Sequence, residues 1–300
     1  MMATKQAFDA VRGVLKFNEP MAKHTSWRVG GPAQRYFEPA DLQDLQNFLA
    51  RLADDEPLFW LGLGSNLLVR DGGIRGTVIA TSGLLNEMSF IAPDRVRLEA
   101  GVSCAKAARF CGRQGLVGAE FLAGIPGTIG GALAMNAGAF GGETWALVES
   151  VEMLSRDGQL KRRGPDDFEV AYRHVQAPAE EYFVAACFHL QTGDADAAAA
   201  RIKALLERRA ASQPIGLPSC GSVFRNPEGD FAARLIEASG LKGVCRGGAC
   251  VSEKHANFII NTGTATASDI EALIEEIKET VMREQGVQLV PEVHVVGEVV

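Results

Sequence analysis

Residues 124–142 of this 300-residue chain read GIPGTIGGALAMNAGAFGG, with glycine at 124, 127, 130, 131, 138, 141 and 142 and no acidic residue among them. Glycine has no Cβ, so its backbone can approach a ligand closely and take positive φ. Successive amides in such a run can wrap the phosphates of a cofactor. A flexible linker would be polar and rich in Gly and Ser. This stretch instead carries Ile125, Ile129, Leu133, Met135 and Phe140, which favour burial. The pattern points to an ordered, ligand-facing loop. A second glycine pair, Gly62-Leu63-Gly64-Ser65-Asn66, directly follows the apolar run Leu58–Leu61. It begins like a dinucleotide fingerprint, yet Leu67 stands near where a third glycine would allow close helix packing. No Gly-Lys-Ser/Thr phosphate loop occurs. Two glycine loops without a lysine suit a cofactor whose pyrophosphate is held by backbone amides.

Three further segments carry groups capable of acid–base or electrostatic work. Ser222 sits in Gly221-Ser222-Val223-Phe224-Arg225-Asn226-Pro227, Arg173 in Tyr172-Arg173-His174, and Glu292 in Pro291-Glu292-Val293-His294. Each also has an ordinary structural reading: a turn or cap, a surface pair, a solvated carboxylate. The Gly-x-Ser-x-Gly elbow of hydrolases is absent, so a Ser–His–Asp hydrolase is not supported.

The elements that must position these groups follow from periodicity. Residues 41–53 place Leu42, Leu45, Phe48, Leu49 and Leu52 on one helical face, with Asp41 as N-cap. Strands are predicted over Leu58–Leu61, Leu67–Val69, Thr77–Ala80, Val96–Ala100, Val148–Leu154 and Tyr182–Leu190, with a hairpin signal at Asp157-Gly158. Ser103 caps a helix ending near Gly115. Residues 194–211 form a connecting helix, after which the Pro- and Gly-rich run 212–230 breaks all periodicity. The remainder reads as a helix over 231–239, a strand over Asn257–Asn261, a helix opened by the capping box Ser268–Glu271 and running to Gln285, and terminal strands over 287–290 and 293–296.

Composition narrows the function classes. The chain is 47% hydrophobic and 22% charged, enough apolar residue for a sizeable core. Its net charge of −7 argues against a broad nucleic-acid surface but leaves room for a basic pocket holding one anionic metabolite. The six cysteines, at 104, 111, 187, 220, 245 and 250, form no CxxC pair and no zinc spacing, so no metal site is expected. Cys104 and Cys111 read as small core residues of a helix. There is no secretory h-region and no span of about 18 apolar residues, so neither export nor a membrane is expected. A cytoplasmic protein with reduced thiols is the default.

Taken in order, NEPMAKHTSWRVGGPAQRYFEPA, GLGSN, GIPGTIGGALAMNAGAFG, AYRHV, GSVFRNP, AARLIEASGLKG, VSEKHANFIINTG and PEVHVVG closely resemble the bacterial UDP-N-acetylenolpyruvoylglucosamine reductase (MurB) family across about residues 18–298. The resemblance implies an α+β fold. It comprises a vanillyl-alcohol-oxidase (PCMH-type) FAD-binding module over 1–200, with lobes of about 1–85 and 86–200, and a C-terminal α/β substrate-binding domain over 201–300. It implies that Gly62, Leu63, Gly64, Ser65, Asn66, Gly124, Ile125, Pro126, Gly127, Thr128, Gly130, Gly131, Asn136 and Gly138 line FAD. It implies NADPH-dependent reduction of an enolpyruvyl UDP-sugar to UDP-N-acetylmuramate in peptidoglycan precursor synthesis. Arg173 and Glu292 would stabilise the enolate-like charge and Ser222 would donate the proton. Arg225 and Asn226 would lie near the diphosphate and sugar, and His255 and Asn257 would be structural.

Two features depart from the family pattern. Val175 stands where a hydroxyl often follows the arginine motif, and no inserted tyrosine-bearing loop lies between Arg173 and Ser222, as in the shorter members. The competing readings are a flavin oxidase or dehydrogenase of the same fold acting on another sugar or alcohol, and a non-catalytic UDP-sugar-binding protein. Neither glycine loop holds the His or Cys through which such oxidases attach flavin, and the Ser–Arg–Glu set is intact.

Overall fold

The computed structural model describes residues 11–300 and divides into two compact units. Among the described residues, the first comprises 11–16, Arg35–Gly62 and Gly76–Glu207; the second comprises Phe17–Gln34, Leu63–Arg75 and Arg208–Val300. From sequence, one domain boundary is expected near residue 200, with lobes of about 1–85 and 86–200 before it. By compactness, the last boundary falls inside the helix Ala195–Ser212, and two early segments join the second unit.

The first unit is built on an antiparallel five-stranded sheet in the order Leu160–Arg163, Val148–Ser155, Glu181–His189, Arg95–Glu99, Met88–Ala92. The Asp157-Gly158 signal closes the first of these hairpins, with Gly158 at φ +80° and Ser155 N–H donating to Gln159 O. Leu58–Leu61 runs parallel to the strand Ile74–Ala80 in another sheet. The helix Cys104–Arg113 starts at Ser103, whose side chain accepts from Lys106 N–H. It buries Cys104, Ala107, Ala108 and Cys111, the i, i+3, i+4, i+7 spacing of one helical face. The glycine-rich run is not all loop. It holds a six-residue helix, Ile129–Ala134, because Thr128 provides an N-cap that Gly131 N–H uses.

The second unit owes its early segments to two attachments. Trp27 is fully buried and donates Nε1–H to Ile259 O at 2.7 Å, while Asn261 Nδ2 donates to Trp27 O at 2.8 Å. The strand Leu67–Val69 pairs in parallel with His294–Val296. The helix Ala267–Gln285 packs Ile270, Leu273, Ile274, Ile277 and Val281 into this core. Its cap corrects the sequence reading. The box is Thr266–Asp269, because Ser268 Oγ donates to Asp71 and Glu271 pairs with Arg70, both at 2.7 Å. Residues 287–290 form no strand; Arg225 N–H donates to Val290 O beside a single isolated bridge, Phe224 with Pro291, too short a pairing to make one. The predicted strand over Asn257–Asn261 shortens to Ile259–Asn261.

Cys245 and Cys250 lie directly opposite one another on the strands Cys245–Arg246 and Ala249–Val251 and are joined by a disulfide. The expectation of six reduced thiols therefore holds only for Cys104, Cys111, Cys187 and Cys220, all buried. Hairpin register sets Cα atoms 4.1 Å apart, which a five-residue spacing alone does not announce. Burial pushes the Cys104 and Cys111 thiols up to about 12 and, with the Glu149 carboxylate adding to it, Cys187 up to about 11. Folded protein at pH 8 should thus react slowly with a thiol reagent. Denatured, unreduced protein should titrate the four free thiols, and all six only after reduction. Six without reduction would refute the disulfide. Trp27→Phe should lower the urea unfolding free energy, followed by circular dichroism, by about 1–3 kcal/mol, because Ile259 O is left buried without its donor.

Candidate functional site

In the first unit a cavity of about 250 Å³ opens beside the glycine loops. Gly62, Thr128, Gly130 and Gly131 border it, together with Trp60 and Tyr182, whose rings stack at 4.5 Å. Burial raises the Tyr182 phenol above its ordinary range. Residue type does not single out Trp60 and Tyr182. They converge only because the strand Leu58–Leu61 and the strand Glu181–His189 bring them together. A Cβ on Gly62 would lie 2.6 Å from Thr128 Oγ1, and one on Gly130 would lie 2.9 Å from Ala100 Cβ. The Cβ position of Gly131 is open, with Thr128 Oγ1 at 3.7 Å.

Five amides of the glycine run already have partners within the unit. Ile125 N–H goes to Leu122 O, Gly127 to Ile125 O, Ile129 to Val102 O and Gly130 to Ala100 O, while Gly131 caps onto Thr128 Oγ1. Buried backbone must be paired, and here it is paired within the unit. These glycines supply contour and close approach at the cavity wall. Gly124 and Gly138 are close-packed in turn, their Cβ positions 2.5 Å from Phe140 Cε2 and Gly142 O.

Arg173 occupies the second position of the two-residue turn that joins the strands Glu169–Ala171 and His174–Gln176, at φ +54°. Its Nη2 donates to Gly138 O at 2.9 Å and its Nη1 makes a long 3.5 Å bond to Asn136 O. The guanidinium also lies 5.1 Å from the Tyr172 ring centroid. Asn136 is buried and its carboxamide is spent on protein groups: Oδ1 accepts from Trp145 N–H, and Nδ2 donates to Ala171 O and Glu143 Oε2.

Ser222, Glu292, Arg225 and Asn226 belong to the second unit, as do Leu63, Gly64, Ser65 and Asn66. There the Ser222 and Glu292 segments adjoin. Glu292 N–H donates to Val223 O at 2.7 Å, and Phe224 bridges Pro291. Asn257 holds the serine segment with three bonds: its O accepts from Val223 N–H, and its side chain both accepts from and donates to the Phe224 backbone. Asn66 Nδ2 donates to Glu292 O at 2.9 Å, and Asn66 O accepts from His294 N–H. Burial, with the Glu292 carboxylate adding to it, raises the Cys220 thiol. Gly64, at φ +62°, has no room for a Cβ, which would meet His24 O at 2.1 Å. Asn226 Oδ1 accepts from Ala232 N–H at the start of the helix Ala232–Ala238.

Comparison with known proteins adds the following. Residues 33–164 match a family model described as an FAD binding domain, and residues 213–296 match the C-terminal domain of UDP-N-acetylenolpyruvoylglucosamine reductase. The chain is 64% identical over 298 residues to the UDP-N-acetylenolpyruvoylglucosamine reductase of Alkalilimnicola ehrlichii, with 99% of both chains covered. It is 62% identical over 287 residues to that of Methylococcus capsulatus, covering 96% of this chain and 94% of the relative. The crystal structure of the Thermus caldophilus reductase superposes with a TM-score of 0.81 at 31% identity, covering 95% of this chain and 98% of the other. The 6-hydroxy-D-nicotine oxidase of Arthrobacter nicotinovorans, at 13% identity and a TM-score of 0.58 over 93% of this chain and 87% of its own, shares the fold alone. The expected α+β architecture, a PCMH-type FAD-binding module with a substrate-binding domain, is therefore the one present.

The cavity wall makes a graded prediction. Gly62→Ala displaces Thr128 Oγ1 and with it the cap on Gly131, so it should cost about 1 kcal/mol in stability and lower the flavin absorbance per protein. Gly131→Ala should fold as wild type in a thermal melt. Equal melting loss in both variants would contradict the wall geometry.

Proposed function

The chain belongs to the UDP-N-acetylenolpyruvoylglucosamine reductase family, and we propose that it reduces UDP-N-acetylenolpyruvoylglucosamine to UDP-N-acetylmuramate with FAD and NADPH. This reading makes it a cytoplasmic enzyme of peptidoglycan precursor synthesis, with the UDP-sugar and NADPH as its small-molecule partners. The residues present fit FAD. The cavity wall is stripped of Cβ atoms at Gly62, Gly130 and Gly131, and the stacked Trp60 and Tyr182 rings suit a flat heterocycle. Gly62 and Gly124 to Gly131, with Gly138, would hold it through shape. FAD, when bound, would supply the hydride chemistry that links NADPH to the terminal vinyl carbon.

The rest of the chemistry falls to side chains. Hydride addition leaves negative charge on the adjacent carbon and its carboxylate. A guanidinium with fixed geometry can bind that carboxylate in a fork and favour the charge as it develops, the role for Arg173. Ser222 then gives its hydroxyl proton to the carbon, which is basic enough to take it. Glu292 either orients the cation or supplies a proton. Arg225 and Asn226 offset the anionic diphosphate and bind the sugar.

One observation carries this reading: the Ser222 and Glu292 segments, about seventy residues apart in sequence, are stitched together by the 2.7 Å Glu292–Val223 bond and the Phe224–Pro291 bridge. Purified protein should be yellow. Ser222→Ala should leave NADPH-driven flavin bleaching within about twofold in anaerobic stopped flow, and slow substrate-driven reoxidation by about 10²–10⁴-fold. Normal rates in both half-reactions would remove Ser222 from the mechanism.

A further inference from the structure

We propose that Asn136 is a positioning residue for Arg173, and that its carboxamide is no contact for the flavin; the inference rests on the role of Arg173 given above. The orientation of the carboxamide is set by its neighbours. Trp145 N–H requires an acceptor at 3.1 Å, and Ala171 O and the Glu143 carboxylate require a donor at 3.3 and 3.1 Å. Both Nδ2 hydrogens are thereby committed, so no donor remains for a ligand.

Each of those three bonds bears on where the guanidinium sits. Ala171 is the last residue of the strand leading into the Tyr172-Arg173 turn, so the 3.3 Å bond fixes the base of the hairpin that presents the arginine. The backbone of Asn136 lies in the left-handed region at φ +43°, where Asn is among the few side-chain-bearing residues at home. That conformation goes with carbonyls at 136 and 138 that accept from Nη1 and Nη2. Trp145 N–H and Glu143 tie the same residue to the far end of the glycine run. A long arginine side chain loses rotamer freedom when ordered. Two carbonyls already accept from the guanidinium, one of them on the residue whose carboxamide is buried and fully bonded, and they meet that cost before substrate arrives. Charge stabilisation depends steeply on such placement: a shift of about 1 Å can cost about 10²-fold.

Asn136→Asp keeps the shape and the acceptor but sets a carboxylate against Glu143 and Ala171 O. In anaerobic stopped flow on the holoenzyme, flavin content and the NADPH half-reaction should stay within about twofold of wild type. Reoxidation by the enolpyruvyl UDP-sugar should slow by about 10–100-fold. Arg173→Lys alone should slow the same step. The double variant should then be no slower than Arg173→Lys by more than about twofold, since Asn136 acts through the arginine. Asn136→Gly, which retains the left-handed backbone, serves if the aspartate variant fails to fold and should show the same split. Lost flavin with an intact fold, unchanged reoxidation, or additive effects in the double variant would overturn the inference. An unchanged rate in Arg173→Lys would instead sink the role assigned to the arginine, and the inference with it.

Discussion

Irregular backbone that is shielded from water has to find hydrogen-bond partners inside the protein, and here asparagine carboxamides supply many of them. Asn136 ties the glycine run to the hairpin of Arg173. Asn257 mimics a neighbouring strand for Phe224, taking its N–H and giving to its C=O, and so holds the segment that carries Ser222. Asn66 binds Glu292 O, and Asn261 binds Trp27 O while its Oδ1 accepts from Gly263 and Ala265 N–H. A carboxamide has a donor and an acceptor in one plane, the same pair as a peptide unit. It can therefore stand in for a strand where the chain cannot form one, and functional side chains sit on loops held in this way.

The same accounting changes the meaning of the glycines. A glycine-rich loop invites the view that bare amides grip an anion. At positions 125, 127, 129, 130 and 131 those amides are already used. The glycines instead permit contacts that a Cβ would forbid, between Gly62 and Thr128 and between Gly130 and Ala100. Cavity shape near the loop follows from absent side chains, and the aromatic pair Trp60–Tyr182 provides the opposing apolar surface.

Much of the local structure was legible because it rests on short-range chemistry. Asp41 and Ser103 cap the helices they precede, Leu58–Leu61 is a strand as its apolar run requires, and Gly240 follows the helix Ala232–Ala238 in the left-handed region. Where the reading slipped, a distant partner had outbid a local one. Ser268 and Glu271 have the spacing of a capping box, but Asp71 and Arg70 claim them, and Thr266 and Asp269 make the cap. Residues 287–290 have strand composition, yet the pairing beside them is a single bridge, Phe224 with Pro291. Cys245 and Cys250 match no spacing rule, and only hairpin register makes them a pair.

By itself, the sequence determined the kinds of chemistry available and the family: two glycine loops, a serine, an arginine and a glutamate in a specific order, and a core rich enough to hold them. Residue type, local periodicity and motif order are properties of the chain and need no partner. Tertiary structure alone decided that residues 17–34 and 63–75 pack with the C-terminal unit, that five amides of the glycine run are spent internally, and which carboxamide holds which functional segment. Those outcomes depend on which hydrogen-bonding groups meet across long stretches of sequence. Each buried donor goes to whichever acceptor the packed backbone brings within about 3 Å, and that competition is settled only when the chain has folded.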